Sequence, residues 1–442
     1  MSSTSPPQPW PAPPAPAPVT ATVRVPGSKS ETNRALVLAA LSDRPSVITN
    51  GLHARDSVLM REALRALGAG IVEDGDQWLV TPADRIRGGV TVDCGLAGTV
   101  MRFVPALAAL ADGPVHFRGD AQAAARPMAP LLGALADLGV GVQADDGPGL
   151  PFTLTGNPGL RGGTVTLDSS TSSQYVSALL LVGARLAEGL DLRHIGPPIP
   201  SLPHIAMTVA MLRARGVEVD DSTPDRWRVA PGPIAAADVV VEPDLSNAAP
   251  FLAAAAVTGG TVTVEPWPRT TLQPGDQIRG LLQSFGARVS QADGGLTVQG
   301  SGALHGIDVD LHEASELTPV VAAVAALADS PTRIGGVGHV RGHETDRLAA
   351  LEAELGALGS GVEADADGLT ITPRPLAGGL WHTYADHRMA QAGALLGLVV
   401  PGVDLEDVTC TDKTMPEFVR LWTTMLADTA TPSPAGAPRA GR

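Results

Sequence analysis

Two apolar patterns alternate along the chain. The first is a helical stretch with one apolar stripe, and five such stretches end on the phrase Gly-x-x-Ile/Val. These are "LGAGI" at Gly68, "LGVGV" at Gly139, "RGVEV" at Gly216, "FGARV" at Gly286 and "LGSGV" at Gly359. Successive glycines stand 71, 77, 70 and 73 residues apart, so the chain repeats. Each glycine is expected in the left-handed region just past its helix, with a strand following at once.

The second pattern runs out of phase with the first. Short β-rich runs such as "GGVTVDCG", "GGTVTLDSS", "DVVVEPDLS" and "IDVDLHEA" lead into Ala-rich helices. Those helices begin "SETNRALVLAAL", "AGTVMRFVPALAAL", "SSQYVSALLLVG", "SNAAPFLAAAAV", "SELTPVVAAVAAL" and "DHRMAQAGALLGL". A helix that is apolar nearly all round, as from Ala248 to Val257, has to sit inside. Together the patterns predict an α/β fold of six units: strand, buried helix, strand, amphipathic helix, strand, with the helices enclosed by sheets.

The sixth unit lacks its closing strand. Three units per domain then divide the chain into an N-terminal domain, 23–242, and a C-terminal domain, 243–427. The Pro-rich segment 1–22 reads by composition as a polyproline tail, part of which is expected to join the C-terminal domain and complete its sixth unit. A disordered tail is expected over 428–442.

Composition narrows the function. A net charge of −15 argues against non-specific nucleic-acid binding. Two cysteines, Cys94 and Cys410, without CxxC or His/Cys spacing, suggest neither a disulfide framework nor a zinc site. With no signal-like or membrane-spanning run, a soluble cytoplasmic protein is expected.

The cations are the informative charges. Of 31 positive side chains, all but Lys29 and Lys413 are arginine. Lys29, Arg34, Arg102 and Arg388 fall at the starts of the buried helices; Arg126, Arg347 and Lys413 fall in loops. Repeats related by symmetry would converge these helix starts, whose free N–H groups favour anions. "GSKS" lacks the spacing of a P-loop. The set implies a ligand with at least two anionic groups.

At this point a family resemblance emerges. "PGSKSETNRAL", "AGTVMR", "ARPM", "SSQYVSALL", "HETDRL", "TYADHRMA" and "DKTMPEF", in this order, resemble the 5-enolpyruvylshikimate 3-phosphate synthase family. The resemblance implies a two-domain inside-out α/β barrel of six βαβαββ repeats. It implies transfer of the enolpyruvyl group of phosphoenolpyruvate to the 5-hydroxyl of shikimate 3-phosphate, with release of phosphate. It further implies a monomer that needs no metal or organic cofactor, with these two small molecules as its only partners.

Carried onto this chain, the resemblance implies that Lys29 touches both substrates. Arg126, Arg347, Arg388 and Lys413 would cage phosphoenolpyruvate, with Gly98 and Gln174 beside them. Ser30, Arg34, Ser172, Ser173, Gln174, Ser201 and His343 would hold shikimate 3-phosphate. Glu316 would bind the reacting hydroxyl as base, Glu344 would stand near the methylene carbon, and His387 would complete the catalytic set. Lys can shift its pKa toward neutrality where Arg cannot, so Lys29 is the candidate proton donor.

Departures from the family pattern are Leu96 where Asn is frequent, His204 where Tyr is frequent, and His343 where Lys is frequent. Arg341 is the candidate substitute for that lost lysine. Gly98 is the small residue that leaves room for glyphosate in sensitive members. The rival within the fold, UDP-N-acetylglucosamine enolpyruvyl transferase, usually carries a cysteine where this chain has Ala121. A non-catalytic binder of phosphorylated metabolites is the rival from another class; it would have no use for Glu316 and Glu344 among cations.

Overall fold

A computed structural model describes residues 8–144 and 149–430. The helices come in pairs, one inner and one outer. The first pairs are α1 (Lys29–Ala40) with α2 (Arg55–Ala66), α3 (Gly98–Ala108) with α4 (Ala129–Asp137), and α5 (Gln174–Gly183) with α6 (Leu202–Arg213). The later pairs are α7 (Leu245–Thr258) with α8 (Ile278–Ser284), α9 (Thr318–Ala325) with α10 (Arg347–Ala357), and α11 (His387–Gly397) with α12 (Phe418–Ala430). Every residue of α3 is buried, as are all of α9 and twelve of the fourteen in α7. The helices without a polar face are therefore the inner ones.

Each unit carries its own small sheet. Five sheets have four strands and one has three, and none closes on itself among the described residues. In the second unit, Val90–Asp93 runs parallel to Pro114–Arg118, which then pairs antiparallel with a hairpin strand, Phe152–Thr155. The same order recurs in the third and fifth units. The sheets bury one face on the helices, as the alternating burial of Gln77–Thr81 and Pro114–Arg118 records.

All five phrase glycines have positive φ, from +73° at Gly216 to +110° at Gly68. Each closes its helix with the same two bonds. At α2, Gly68 N donates to Arg65 O and Ala69 N to Leu64 O, both at 3.0 Å. The same pair of bonds recurs at Gly139, Gly216, Gly286 and Gly359. This closure satisfies the last carbonyls and turns the chain straight into a strand.

The first and fourth units borrow a strand from the connecting segments. Thr20–Val23 runs parallel to Thr261–Val264, and Val239–Val240 runs parallel to Ser46–Thr49. The run "DVVVEPDLS" thus supplies a strand to the first unit rather than to the fourth, whose helix it precedes. Trp10–Pro11 pairs with Asp404–Leu405 and gives the sixth sheet its third strand. Residues 10–11 and 20–22 are accordingly sheet rather than polyproline tail. Residues 428–430 continue α12, while 1–7 and 431–442 lie outside the described residues.

Buried apolar side chains fall into two clusters. One runs from Ala35 to Val241; the other joins Ala12, Val19, Val23 and Val25 to residues from Leu245 to Leu426. Both cysteines are free, and among the described residues no helix is long and apolar enough to cross a membrane.

Gly139 isolates the backbone cost of this repeated turn, because nothing described lies within 4 Å of an added Cβ. Gly139→Ala should cost about 1–2 kcal/mol through its φ of +94°. Denaturant titration should show a lower midpoint at unchanged slope.

Candidate active site

A cavity of about 320 Å³ opens between the two clusters; five of the six inner helices start on it, and the turn before the sixth, α9, reaches it. Lys29 and Ser30 come from α1, Gly98 and Thr99 from α3, Gln174 from α5, and Ser246 and Asn247 from α7. Glu316 stands in the 3-10 turn before α9, and His387 and Arg388 open α11. Asp244 and Asp386 cap α7 and α11, accepting from Asn247 N and Arg388 N at 2.9 Å. Helices α3 and α5 have no side-chain cap and no acid in the first turn, so their amides and dipoles favour an anion.

Five cationic and three acidic side chains line the cavity of this acidic chain. The Lys29 ammonium pairs with buried Asp56 at 3.1 Å. Arg347 is anchored on both oxygens of Asp386, at 2.7 and 3.2 Å, and reaches Glu344 at 3.2 Å. Lys413 Nζ donates to the other oxygen of Glu344 at 2.6 Å. Arg388 donates to Ser246 O at 2.8 Å, Arg126 to Leu96 O at 3.1 Å and Arg102 to Gly98 O at 3.3 Å. The Nε atoms of Arg102 and Arg126 are buried without a partner among the described residues.

Charge then sets the protonation states. Burial raises the Glu344 carboxyl, but Lys413, Arg347 and Arg126 outweigh it and hold the group well below the usual carboxylate range. All four imidazoles on the cavity are pushed toward neutrality. Burial is the first cause in each, joined by His312 and Arg347 at His339 (down to about 4), by Arg347 at His343 and by Arg388 at His387. A neutral His343 accepts from Arg347 at Nδ1, 3.1 Å away, which leaves Nε2 as its donor.

Of the residues predicted from sequence, Lys29, Ser30, Gly98, Arg126, Ser172, Ser173, Gln174, Ser201, Glu316, His343, Glu344, Arg347, His387 and Arg388 line one cavity. Lys413 stands behind Glu344. Arg34 is off the wall, and four of its five N–H groups are already taken. They reach Thr208 Oγ1 at 2.7 Å, Ser30 O at 2.9 Å, His204 O at 3.0 Å and Ser177 Oγ at 3.3 Å. Arg341 is no substitute for the missing lysine: it binds Asp346 at 2.8 Å and Asp365 O at 2.6 Å, facing away.

Sequence reasoning missed Asp56, Asp244, Asp386 and His339. Asp56 sits in the first turn of α2, a place where an acid is ordinary, and only folding brings it to Lys29. Asp244 and Asp386 were visible as helix caps directly before "LSN" and "HR". His339, four residues before His343, carried no signal of its own.

Glu344 stays charged because Lys413 does. That stabilising charge is present above the ordinary carboxyl pKa and is lost only as pH falls through the depressed value. In Lys413→Met the carboxyl should climb, and kcat/KM should gain an acid limb that the parent protein lacks. Parallel pH–rate profiles for the two proteins would show that Lys413 does not control Glu344.

Solved structures share this architecture. EPSP synthase from Acinetobacter baumannii is similar with a TM-score of 0.77 at 23% identity, over 95% of this chain and 98% of that one. The enolpyruvyl transferase NikO from Streptomyces tendae is similar with a TM-score of 0.72 at 20% identity, over 94% of this chain and 97% of that one. At such identities the likeness is one of fold. The sequence profile described as EPSP synthase (3-phosphoshikimate 1-carboxyvinyltransferase) matches residues 13–422, nearly the whole chain. The chain belongs to the EPSP synthase family, whose reaction is enolpyruvyl transfer to shikimate 3-phosphate.

Proposed function

We propose that phosphoenolpyruvate and shikimate 3-phosphate meet in this cavity, with Lys29, Glu344, Glu316 and His387 as the groups that move protons. The enolpyruvyl group passes to the 5-hydroxyl of shikimate 3-phosphate and phosphate leaves. The observation that carries this assignment is the presence of Glu344 and Glu316 on a wall rich in cations. A site that only held anions would be weakened by both.

Phosphoenolpyruvate is a poor electrophile until C3 takes a proton, which leaves C2 short of electrons. The 5-oxygen then adds to C2 while its proton passes to Glu316. Phosphate departs with a proton from Lys29 on its leaving oxygen as C3 returns its proton to Glu344. The hydroxyl proton held by Glu316 replaces the one Lys29 gave, through solvent, so the proton balance closes over the two steps. Arg126, Arg347, Arg388 and Lys413, with the Gly98 amide and Gln174, hold the phosphate and carboxylate; they stabilise the charge that develops on departure. Those anionic groups compete for Lys413 and Arg347, which lifts Glu344 from its depressed state toward one that can carry a proton. His387, a neutral ring between Arg388 and Glu344, passes a proton without adding charge.

Ser30, Ser172, Ser173, Ser201, Gln174 and His343 take shikimate 3-phosphate. Arg34 acts one step back, holding the Ser30 and His204 carbonyls in place. We assign the protein to the cytoplasm as a monomer, the default of the family. The domains are taken as 23–242 and 243–427, closing on substrate about the two crossings.

The direct test is phosphate release from phosphoenolpyruvate with shikimate 3-phosphate or UDP-N-acetylglucosamine as acceptor. Release with shikimate 3-phosphate alone is the expected result; release with only the nucleotide sugar would overturn it. Lys29→Arg should bind both substrates yet lose on the order of 10²-fold or more in kcat, the scale of a lost proton transfer. Near-normal kcat would end the proton-donor role.

Glyphosate should inhibit. A Cβ added at Gly98 would stand 3.0–3.2 Å from the guanidinium nitrogens of Arg102 and Arg126, so both would have to shift. Gly98→Ala should therefore raise KM for phosphoenolpyruvate and weaken inhibition together. Unchanged KM and inhibition would show that neither arginine is displaced.

A further inference from the structure

The chain crosses between the two clusters twice, near 24–28 and 241–245, and the crossings touch. Ser28 N donates to Glu242 O at 2.7 Å and Asp244 N to Pro26 O at 2.9 Å. Gly27 bridges to Pro243 and packs so closely that a Cβ there would meet Asn50 O at 2.0 Å. A third tie comes from a side chain. Glu31, in the first turn of α1, accepts the backbone N–H of Glu242 at 2.8 Å.

We propose that Glu31 is a positioning residue: its carboxyl group clasps the two crossings together, and its ionisation sets how firmly the start of α1, with Lys29, is held at the cavity. No step assigned above uses this group.

The clasp is continuous with the catalytic wall. Glu242 has its N–H on Glu31 and its carbonyl on Ser28, so α1 is bound to the second crossing from both ends of one residue. Two residues on, Asp244 accepts Lys29 N at 3.2 Å and caps α7 with its other oxygen. The Glu242 carboxylate accepts from Thr271 Oγ1 at 2.5 Å and from Gln273 Nε2 at 2.9 Å. Gln273 lines the cavity and accepts Leu245 N at 3.2 Å. A change at Glu31 is therefore felt by Lys29, α7 and the cavity floor.

The charges around Glu31 oppose one another. Glu242 faces it from the crossing and Arg34 lies a turn along its own helix; Lys29 and Asp244 flank the same clasp, and neutral Thr271 and Gln273 donate to the Glu242 carboxylate from the loop behind. Burial raises the Glu31 carboxyl and the Glu242 carboxylate raises it further, while the Glu242 N–H and Arg34 pull it down, leaving it at about 7. A carboxyl raised from its ordinary value stabilises the fold below that ordinary value. The contribution fades as pH rises through 7. Ionised Glu31 still accepts the N–H but repels Glu242 across the clasp.

Glu31→Gln keeps an acceptor for the Glu242 N–H and removes the titration; Glu31→Ala removes both. Between pH 6 and 8 the Tm of the parent protein should fall relative to Glu31→Gln by about 1–2 °C, the shift one such titration produces in a chain of this length. Over the same range the kcat/KM ratio of Glu31→Gln to parent should rise, by at most about tenfold. At pH 6 Glu31→Ala should lose kcat/KM while Glu31→Gln keeps it. Parallel Tm profiles would overturn the ionisation, whatever the reaction proves to be, because that arm does not use activity. Diverging Tm with parallel kcat/KM would reduce Glu31 to a structural clasp and overturn its positioning role. Full kcat/KM of Glu31→Ala at pH 6 would do the same.

Discussion

Burying positive charge is the constraint on which this structure turns. An unpaired buried cation costs several kcal/mol, so each has to meet an acceptor before any ligand arrives. Arg347 has Asp386 and Glu344, Lys413 has Glu344, and Lys29 has Asp56. Asp386 and Asp56 are buried more deeply than the cations they serve, and Glu344 is buried with its two. Arg126 and Arg102 each donate to one carbonyl, Arg102 also standing over the Tyr175 ring, and each keeps a buried Nε without a partner among the described residues. These incompletely compensated charges thus stand at the start of α3, a helix with no side-chain cap, where an anion is well received.

The repeat is what brings these charges to one place. Five identical glycine closures return the chain from an outer helix to its sheet, so each inner helix enters from the same side of its unit. Five helix starts and the turn before α9 then fall on a single cavity, and every unit contributes a residue to its lining. Exchanging a strand at each crossing lets both halves complete their sheets while keeping the crossings side by side. The clasp around Glu242 is a consequence of that exchange.

What sequence could show depended on whether the cause was local. The inner helices were legible because an Ala-rich stretch without a polar face has one place to go, and the left-handed glycines because their role is set within six residues. Motif residues such as Glu344 and Arg347 could be found because their neighbours in sequence are their neighbours in space. Asp56 could not, since 27 residues separate it from Lys29 and nothing in "HARDS" marks an ion pair. Arg34 misled for the converse reason. It sits in the right motif, yet Thr208 and Ser177, far along the chain, take its donors. The fate of "DVVVEPDLS" was hidden in the same way: strand exchange depends on which edge lies nearer in three dimensions.

The two lysines acquire a reason in this setting. Both end on one carboxylate through one short contact, Lys29 on Asp56 and Lys413 on Glu344. Two of the arginines are fixed differently: Arg347 spreads over Asp386, Glu344 and His343, and Arg34 over four acceptors. A guanidinium offers five donors in a rigid fork, which suits a residue that has to hold an architecture together. An ammonium satisfied by one oxygen keeps two N–H groups to aim elsewhere, on a stem that can pivot. On the function proposed above, lysine stays where a charge is shared between the protein and a phosphate about to leave. In a chain that writes every other cation as arginine, the two lysines stand apart as buried or half-buried ammonium groups held by one carboxylate oxygen each.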